Sequence, residues 1–400
     1  MRVVIVGAGQ AGASLAAKLR ALGHDGEIVL LGDEPAPPYQ RPPLSKAYLL
    51  GEMEADRLWL RAPEFWAENR IELRLGQPVT SIDRAARTVT VGGAALAYDH
   101  LALTTGSSPR RLPAAIGGAL DGVFTVRTLA DVDAMRAEFR PGRRVIIVGG
   151  GYIGLEAAAV AAKLGLDVTV LEMAPRILQR VAAPETSGFV RDMHEAHGVK
   201  VLEATALDRL EGDRRVKGAV LKDGRVLPAD FVIVGVGITP NSQLAEAAGL
   251  AIDNGIATDE MGRTSDPFIW AAGDCASFPW QGGRIRLESV GNAIDQAEAV
   301  AANILGAAAP YAAKPWFWSD QYDLKLQIAG LNTGYDRIVT RKGEGEAVSF
   351  WYYRGGELLA VDAMNDSRAY MVGKRLIETG KSPAPEIIAG TGDLKTLLKA

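Results

Sequence analysis

The sequence predicts an α/β protein in which one βαβ unit occurs twice, followed by a C-terminal α+β segment. Three observations carry that expectation. A short β-branched run leads into GxGxxG at 2–12, and the same arrangement returns at 144–154. Each copy is followed by a second apolar run that closes on an acid. Each half then repeats a hairpin-like region and a strand ending in glycine.

The first copy begins with the run at 2–6, which reads as a parallel strand buried on both faces. It leads into Gly7-Ala8-Gly9-Gln10-Ala11-Gly12 and a helical stretch over 13–22 ended by Gly23. A second apolar run at 27–31 closes on Gly32-Asp33-Glu34. The second copy has a strand at 144–148, the loop Gly149-Gly150-Gly151-Tyr152-Ile153-Gly154 and an Ala-rich helix to Leu164. Its next strand, at 168–171, ends on Glu172. In such a loop the first glycine permits the tight turn and the second lets a pyrophosphate approach the backbone. The third allows close helix–strand packing, and the helix N-terminus offers free N–H groups to the anion. The acid closing the second strand is placed to accept from an adenosine ribose hydroxyl. One such loop is weak evidence for a ligand. Two in full βαβ context imply two dinucleotide sites, unless the second copy is a duplicated core that has lost its ligand. The chemistry that two dinucleotides share is hydride transfer between a nicotinamide and a flavin.

Other strand ends extend the repeat. The run 98–107 ends in Thr104-Thr105-Gly106-Ser107, and 230–237 is its counterpart, ending at Gly237 before Thr239-Pro240-Asn241. Hairpin-like regions precede them at 89–96 and at 216–227, the latter with the turn Asp223-Gly224. A strand at 268–272 runs into Gly273-Asp274, where the glycine allows close approach and the carboxylate can accept from a sugar hydroxyl; a plain turn is the alternative. At the C-terminal end, 348–353 and 358–364 flank Arg354-Gly355-Gly356-Glu357 as a hairpin, and a helix follows over 367–378. The expected domains are interrupted: 1–111 and 244–311 form one nucleotide-binding domain, 112–243 a second inserted into it, and 312–400 a C-terminal α+β domain. Pro109, Pro113 and Pro240-Asn241 mark the crossings.

Composition narrows the function. Four hundred residues suffice for two to three domains. Forty-four Lys and Arg against 48 Asp and Glu leave a net charge of −4, which argues against a nucleic-acid binder held by phosphate contacts. No apolar run reaches the roughly 18 residues of a membrane span. The apolar N-terminal run is broken by glycines, so no signal peptide is expected and a cytoplasmic location is. The single cysteine, Cys275, excludes an intrachain disulfide, a CxxC redox pair and a Cys-based zinc cage. It reads as a small buried residue rather than a nucleophile. His194 and His197 stand three apart with no acid or Cys motif nearby, so no metal site is expected.

With these features together, the chain resembles the FAD-dependent pyridine nucleotide oxidoreductases of glutathione-reductase-like fold. The two glycine loops, Thr104-Thr105-Gly106 and Ala272-Gly273-Asp274 carry that likeness. Two further segments, Pro38-Tyr39-Gln40-Arg41-Pro42-Pro43-Leu44-Ser45-Lys46 and Trp316-Phe317-Trp318-Ser319-Asp320-Gln321, are more specific. They look like the NADH–ferredoxin reductases of the putidaredoxin reductase type. The resemblance implies two Rossmann-like dinucleotide-binding domains, with non-covalent FAD on the first loop and NADH on the second. It also implies a monomer or weak dimer whose partner is a [2Fe–2S] ferredoxin serving a haem-thiolate monooxygenase or a ring-hydroxylating oxygenase.

Residue by residue, the resemblance implies FAD contacts at Gly7, Gly9, Ala11, Gly12, Asp33 or Glu34, Arg41, Lys46, Val79, Thr105, Gly106, Arg127, Gly273, Asp274 and Val290. NADH contacts are implied at Gly149, Gly151, Tyr152, Ile153, Gly154 and Gly237. Glu172 favours NADH, because a carboxylate accepts from a free 2′-hydroxyl and repels a 2′-phosphate; Arg176 and Arg180 stand close behind it. The catalytic candidates are Lys46 beside flavin N5, Glu156 on the first helical turn at the nicotinamide end, and Trp318 as a wall over the flavin. Blander alternatives are a dipole-favoured helix carboxylate for Glu156 and an ordinary core cluster for Trp316-Phe317-Trp318. Where related disulfide reductases and NADH oxidases carry reactive cysteines, this chain reads Pro42-Pro43-Leu44-Ser45-Lys46. A reductase of rubredoxin or of a small molecule such as monodehydroascorbate would share the cofactor half. So would a redox-gated interaction protein of the apoptosis-inducing-factor branch. An acidic ferredoxin asks for a basic patch, with Arg284, Arg286, Arg337, Arg341, Lys342, Lys374 and Arg375 as candidates.

Overall fold

The strand Val3–Val6 is apolar at every position, and all four side chains are buried. It is central in a five-stranded parallel sheet ordered Ile269–Ala271, His100–Leu103, Val3–Val6, Ile28–Leu31, Ile71–Arg74. Alternate residues serve opposite faces. Val3 and Ile5 join a core with Leu15, Leu19, Ala297 and Ala301, contributed by the helices Gln10–Ala21 and Val290–Ile304. Val4 and Val6 join another with Val89, Leu101 and Leu103. Val89 belongs to a small antiparallel sheet of Val79–Asp83, Thr88–Val91 and Ala94–Ala97, which contains the hairpin expected at 89–96. The structure, a computed structural model, describes residues 1–390 and 392–398. These elements form one of two compact units, made of Met1–Gln40, Ala55–Ser108 and Thr239–Pro315.

The second unit comprises Arg41–Glu54, Pro109–Ile238 and Trp316–Ala400. It repeats the plan. A parallel sheet runs Lys200–Leu202, Asp167–Leu171, Arg144–Val148, Phe231–Val234, Val123–Phe124. The helix Tyr152–Lys163 follows the central strand, and its residues Leu155 to Ala161 are all buried. A three-stranded antiparallel sheet, Leu207–Glu211, Gly218–Leu221 and Val226–Pro228, corresponds to the small sheet of the first unit.

The same unit carries an antiparallel sheet ordered Trp316–Gln321, Leu324–Gly330, Glu357–Met364, Val348–Arg354, Arg337–Lys342. The hairpin expected at 348–364 is present, with Gly355 and Gly356 both at positive φ, as a two-residue turn of the primed type requires. The helix Ser367–Glu378 lays Ala369, Tyr370, Val372 and Leu376 on Trp351, Tyr353 and Val361. Gly373 permits this approach, because a Cβ there would stand 2.6 Å from the Val361 side chain. The three strands between 316 and 342 were not expected from the sequence.

Candidate functional site

In the first unit the loop after Val3–Val6 behaves as its glycines require. Gly7 has φ +112°, and a Cβ on it would meet the Thr104 carbonyl oxygen at 2.2 Å. A Cβ on Gly12 would meet the Gly7 carbonyl oxygen at 2.0 Å, so the helix packs against the turn with no room for a side chain. Gly9 is different: a Cβ there would meet nothing within 4 Å. It faces open space at the N-cap of Gln10–Ala21, a helix with no side-chain cap and no acid in its first turn. An uncapped N-terminus beside an open glycine fits a pyrophosphate, which supplies the acceptors those N–H groups lack.

The other predicted residues gather at the C-terminal edge of the same sheet. Thr105 Oγ1 donates to the Asn241 carbonyl at 2.6 Å, and Asn241 Nδ2 returns a bond to the Thr105 carbonyl at 2.9 Å. Gly273 sits against Ala11, its N–H donating to Gln296 Oε1 at 2.9 Å. The Asp274 carboxylate accepts from Ser107 Oγ at 2.8 Å. Val290 is the first residue of its helix, behind the Ser289 cap. Of the two acids after the second strand, Glu34 accepts from the Tyr39 hydroxyl at 2.5 Å, whereas Asp33 is exposed. Val79 follows a segment whose Gly76 and Gln77 N–H groups donate to the Glu34 and Gly32 carbonyls. Cys275 is fully buried, and burial pushes its thiol up, away from the reactive thiolate.

The second unit repeats the cradle. Gly149 lies at φ +107° against the Gly235 carbonyl, Gly154 packs on the Gly149 carbonyl, and Gly151 faces open space. Tyr152 and Ile153 open the helix, with Ile153 44% exposed. Glu172 Oε2 accepts from the Gly150 N–H at 2.8 Å and Oε1 from the Ala174 N–H at 2.7 Å. A carboxylate has about four lone-pair sites, so the loop bonds leave acceptor capacity for a ribose. Arg176 is consumed structurally, donating to the Ala182 carbonyl at 2.8 Å and to Ser187 Oγ at 2.5 Å. Arg180 is the arginine that reaches towards Gly237.

Glu156 lies one turn deeper than expected: its helix begins at Tyr152, which puts it in the second turn. It is 2% exposed, a buried carboxylate rather than a surface one. Lys46 Nζ pairs with Glu156 Oε2 at 2.7 Å, Ser45 Oγ donates to the same oxygen at 2.5 Å, and Ser319 Oγ donates to Oε1 at 2.7 Å. A buried charge is tolerable when paired and hydrogen-bonded in this way. Lys46 also donates to the Pro42 carbonyl at 3.3 Å. Nearby on the same strand as Ser319, Trp318 stacks on Trp316 at 5.4 Å, and Phe317 lies 4.8 Å from Tyr152 between ring centroids. All three aromatics of the strand remain partly exposed, Trp316 and Trp318 on one face of it and Phe317 on the other. Arg41 donates to the Arg127 carbonyl at 2.7 Å, beside the Thr128 capping box.

Sequence reasoning named Glu156, Lys46 and Trp318 but missed Ser45 and Ser319 as donors and Gln321 behind them. Each stands inside a quoted motif, but nothing local to it announces its partner. Of the basic-patch candidates, Arg284, Arg286, Arg337, Arg341 and Lys374 each have a carboxylate beside them, namely Asp253, Glu288, Glu386, Asp366 and Glu378, which lowers the field those five project. The His194–His197 spacing serves packing: His194 is buried against Gln321, and His197 stacks on Tyr322. No helix among the described residues is long and apolar enough to cross a membrane.

Residues 1–297 match the family described as pyridine nucleotide-disulphide oxidoreductase, and residues 316–398 match the one described as reductase C-terminal. The chain is 43% identical to rhodocoxin reductase of Rhodococcus erythropolis, over 99% of this chain and 94% of that one. It is likewise 43% identical to putidaredoxin reductase of Pseudomonas putida, over 99% and 96%. A solved covalent putidaredoxin reductase–putidaredoxin complex contains a chain that matches with TM-score 0.96 at 42% identity, over 100% of this chain and 98% of that one.

Proposed function

This chain belongs to the pyridine nucleotide-disulphide oxidoreductases that end in a reductase C-terminal domain, and we propose that it is an FAD-dependent NADH–ferredoxin reductase. The observation that carries this reading is the pair of open glycine cradles on a chain whose one cysteine is buried: two dinucleotides have seats, and no accessible thiol exists to take the electrons. In this reading 1–111 with 244–311 hold FAD, 112–243 hold NADH, and 312–400 form the C-terminal α+β domain. Relatives named as ferredoxin reductases support a ferredoxin as the acceptor, which we take to be of the [2Fe–2S] type. A cytoplasmic location goes with NADH as donor.

Bound FAD would supply what no side chain here has, accepting a hydride and releasing its two electrons singly. The protein's part is positioning. Uncapped helix N-termini take the two pyrophosphates, with Asp33 and Glu172 receiving ribose hydroxyls. The Glu172 carboxylate also repels a 2′-phosphate, which favours NADH over NADPH. Lys46, fixed by Glu156, presents a cation in a partly desolvated place, where a fixed charge acts more strongly than in water. Trp318 walls off solvent.

The test is direct. Acid-released cofactor from the purified yellow protein should be FAD, and NADH should drive faster reduction of a [2Fe–2S] ferredoxin than of rubredoxin or monodehydroascorbate. Equal or faster turnover of those alternatives would move the acceptor assignment. Slow flavin reduction with an NADH-induced change of oligomeric state would replace the enzyme reading altogether.

A further inference from the structure

A hydrogen-bond chain leaves Glu156 on the side away from Lys46 and runs through the interior of the second unit. Ser319 Oγ donates to Glu156 Oε1 at 2.7 Å, and Gln321 Nε2 donates to Ser319 Oγ at 3.1 Å. Beyond it, His194 Nε2 lies 2.7 Å from Gln321 Oε1, and the Tyr322 hydroxyl lies 3.3 Å from His194 Nδ1. Ser319, Gln321 and His194 are at most 1% exposed.

Donor counting fixes the direction of every link. A carboxylate only accepts, so the Ser319 hydroxyl spends its proton on Glu156. Ser319 must then accept from the Gln321 amide nitrogen, which turns Gln321 Oε1 towards His194. Facing an acceptor, His194 carries its proton on Nε2, leaving Nδ1 to accept from Tyr322. Burial also lowers the His194 pKa to about 4, consistent with a neutral ring. The outer end is held under strain. Tyr322 has φ 55°, an unfavourable region for a bulky side chain, while its ring stacks on His197 at 3.7 Å and 11°.

We propose that Gln321 and His194 are positioning residues for the Lys46–Glu156 pair: the one-way chain commits Ser319 to Glu156 Oε1 and leaves Oε2 to Ser45 and Lys46. The proposal rests on the reading of Lys46 and Glu156 as the reacting-centre pair. The Gln321 amide is not a proton carrier, so the chain passes on orientation rather than a proton. Lys46 faces Glu156 from the 41–54 segment and Tyr152 stands on its own helix; Tyr322 and His197 face His194.

The test begins with ¹⁵N NMR of the intact protein, whose four histidines make His194 assignable. The expected result is a neutral Nε2–H tautomer from about pH 5.5 to 8. An Nδ1–H tautomer, or titration near the ordinary value of about 6.5, overturns the proposal. Gln321→Glu keeps the size but replaces the donor amide with an acceptor. His194 should then titrate higher, and hydride transfer from NADH should fall about tenfold, the weight of a hydrogen bond to a charged group. His194→Ala should lower the rate, and His194→Gln, which can still donate, should restore it. Unchanged rate and unchanged His194 signal in Gln321→Glu also overturn it. Should that variant fail to fold, the wild-type tautomer decides alone. The NMR readout needs no electron acceptor, so failure of ferredoxin reduction with the tautomer intact tells against the functional reading and not the chain.

Discussion

Lys46→Met removes the cation that stands 2.7 Å from a carboxylate only 2% exposed. Breaking a buried ion pair from one side is destabilising by about 3–5 kcal/mol, because the remaining charge is stranded. Two serine hydroxyls still donate to Glu156 and the Lys46 side chain keeps 18% exposure, which puts the expected loss near the lower end, about 3 kcal/mol. Glu156→Gln leaves a partly solvated ammonium still bonded to the Pro42 carbonyl, and about 1–2 kcal/mol is expected. The double variant strands no charge, so it should lose only about 1–2 kcal/mol, giving a coupling of about 3 kcal/mol between the sites. Urea unfolding of the four proteins at neutral pH measures the cycle. Stopped-flow reduction by NADH should show at least about a tenfold loss in each single variant, from the missing fixed charge. Additive losses in stability, or single variants with wild-type hydride transfer, would refute the pair as a unit.

Three other outcomes follow from the geometry. Gly9→Ala and Gly151→Ala should fold normally, because their Cβ positions are open, yet bind dinucleotide at least about tenfold more weakly; Gly12→Ala, at 2.0 Å from a carbonyl oxygen, should fail to fold. Cofactor retention and circular dichroism separate the two classes. Asp362 accepts from Tyr352 and Thr186, and burial raises its pKa to about 6. For an acid with a raised folded pKa the native state holds the extra proton, so stability is lost as pH climbs from about 4 through 6 and the loss is complete above it. Asp362→Asn should therefore stabilise by up to about 3 kcal/mol at pH 8 and by little at pH 4, measured by urea midpoints. Glu172→Ala frees the Gly150 and Ala174 N–H groups and removes repulsion of a 2′-phosphate; the NADH-to-NADPH ratio of kcat/KM should fall at least about tenfold.

What was legible in the sequence was local. The third glycine of each loop packs on the carbonyl of the first, five residues back, so the turn and the following helix could be read from GxGxxG, whereas the first glycine also yields to the distant Thr104 or Gly235 carbonyl. Pairings across the chain were not. Glu156 meets Ser45 and Ser319 at separations of 111 and 163 residues, and no spacing rule links them. Glu34 accepts from a hydroxyl five residues on, a contact whose direction only the fold determines. The same holds for surface charge: nothing in the sequence pairs Arg337 with Glu386, which lies beside it in space. Among the strands from 316 to 342, Leu324–Gly330 does alternate as Leu-Lys-Leu-Gln-Ile, whereas Trp316–Gln321, with three aromatics in a row, and Arg337–Lys342 carry no clean period of two.

Electron flow from NADH through flavin to ferredoxin can be followed in a single turnover. The purified protein is reduced anaerobically with one equivalent of NADH, then mixed with a twofold excess of oxidised [2Fe–2S] ferredoxin while flavin and iron–sulfur absorbance are followed together. Flavin absorbance should return as two ferredoxins are reduced for each NADH consumed. Flavin that stays reduced while the ferredoxin stays oxidised would contradict it.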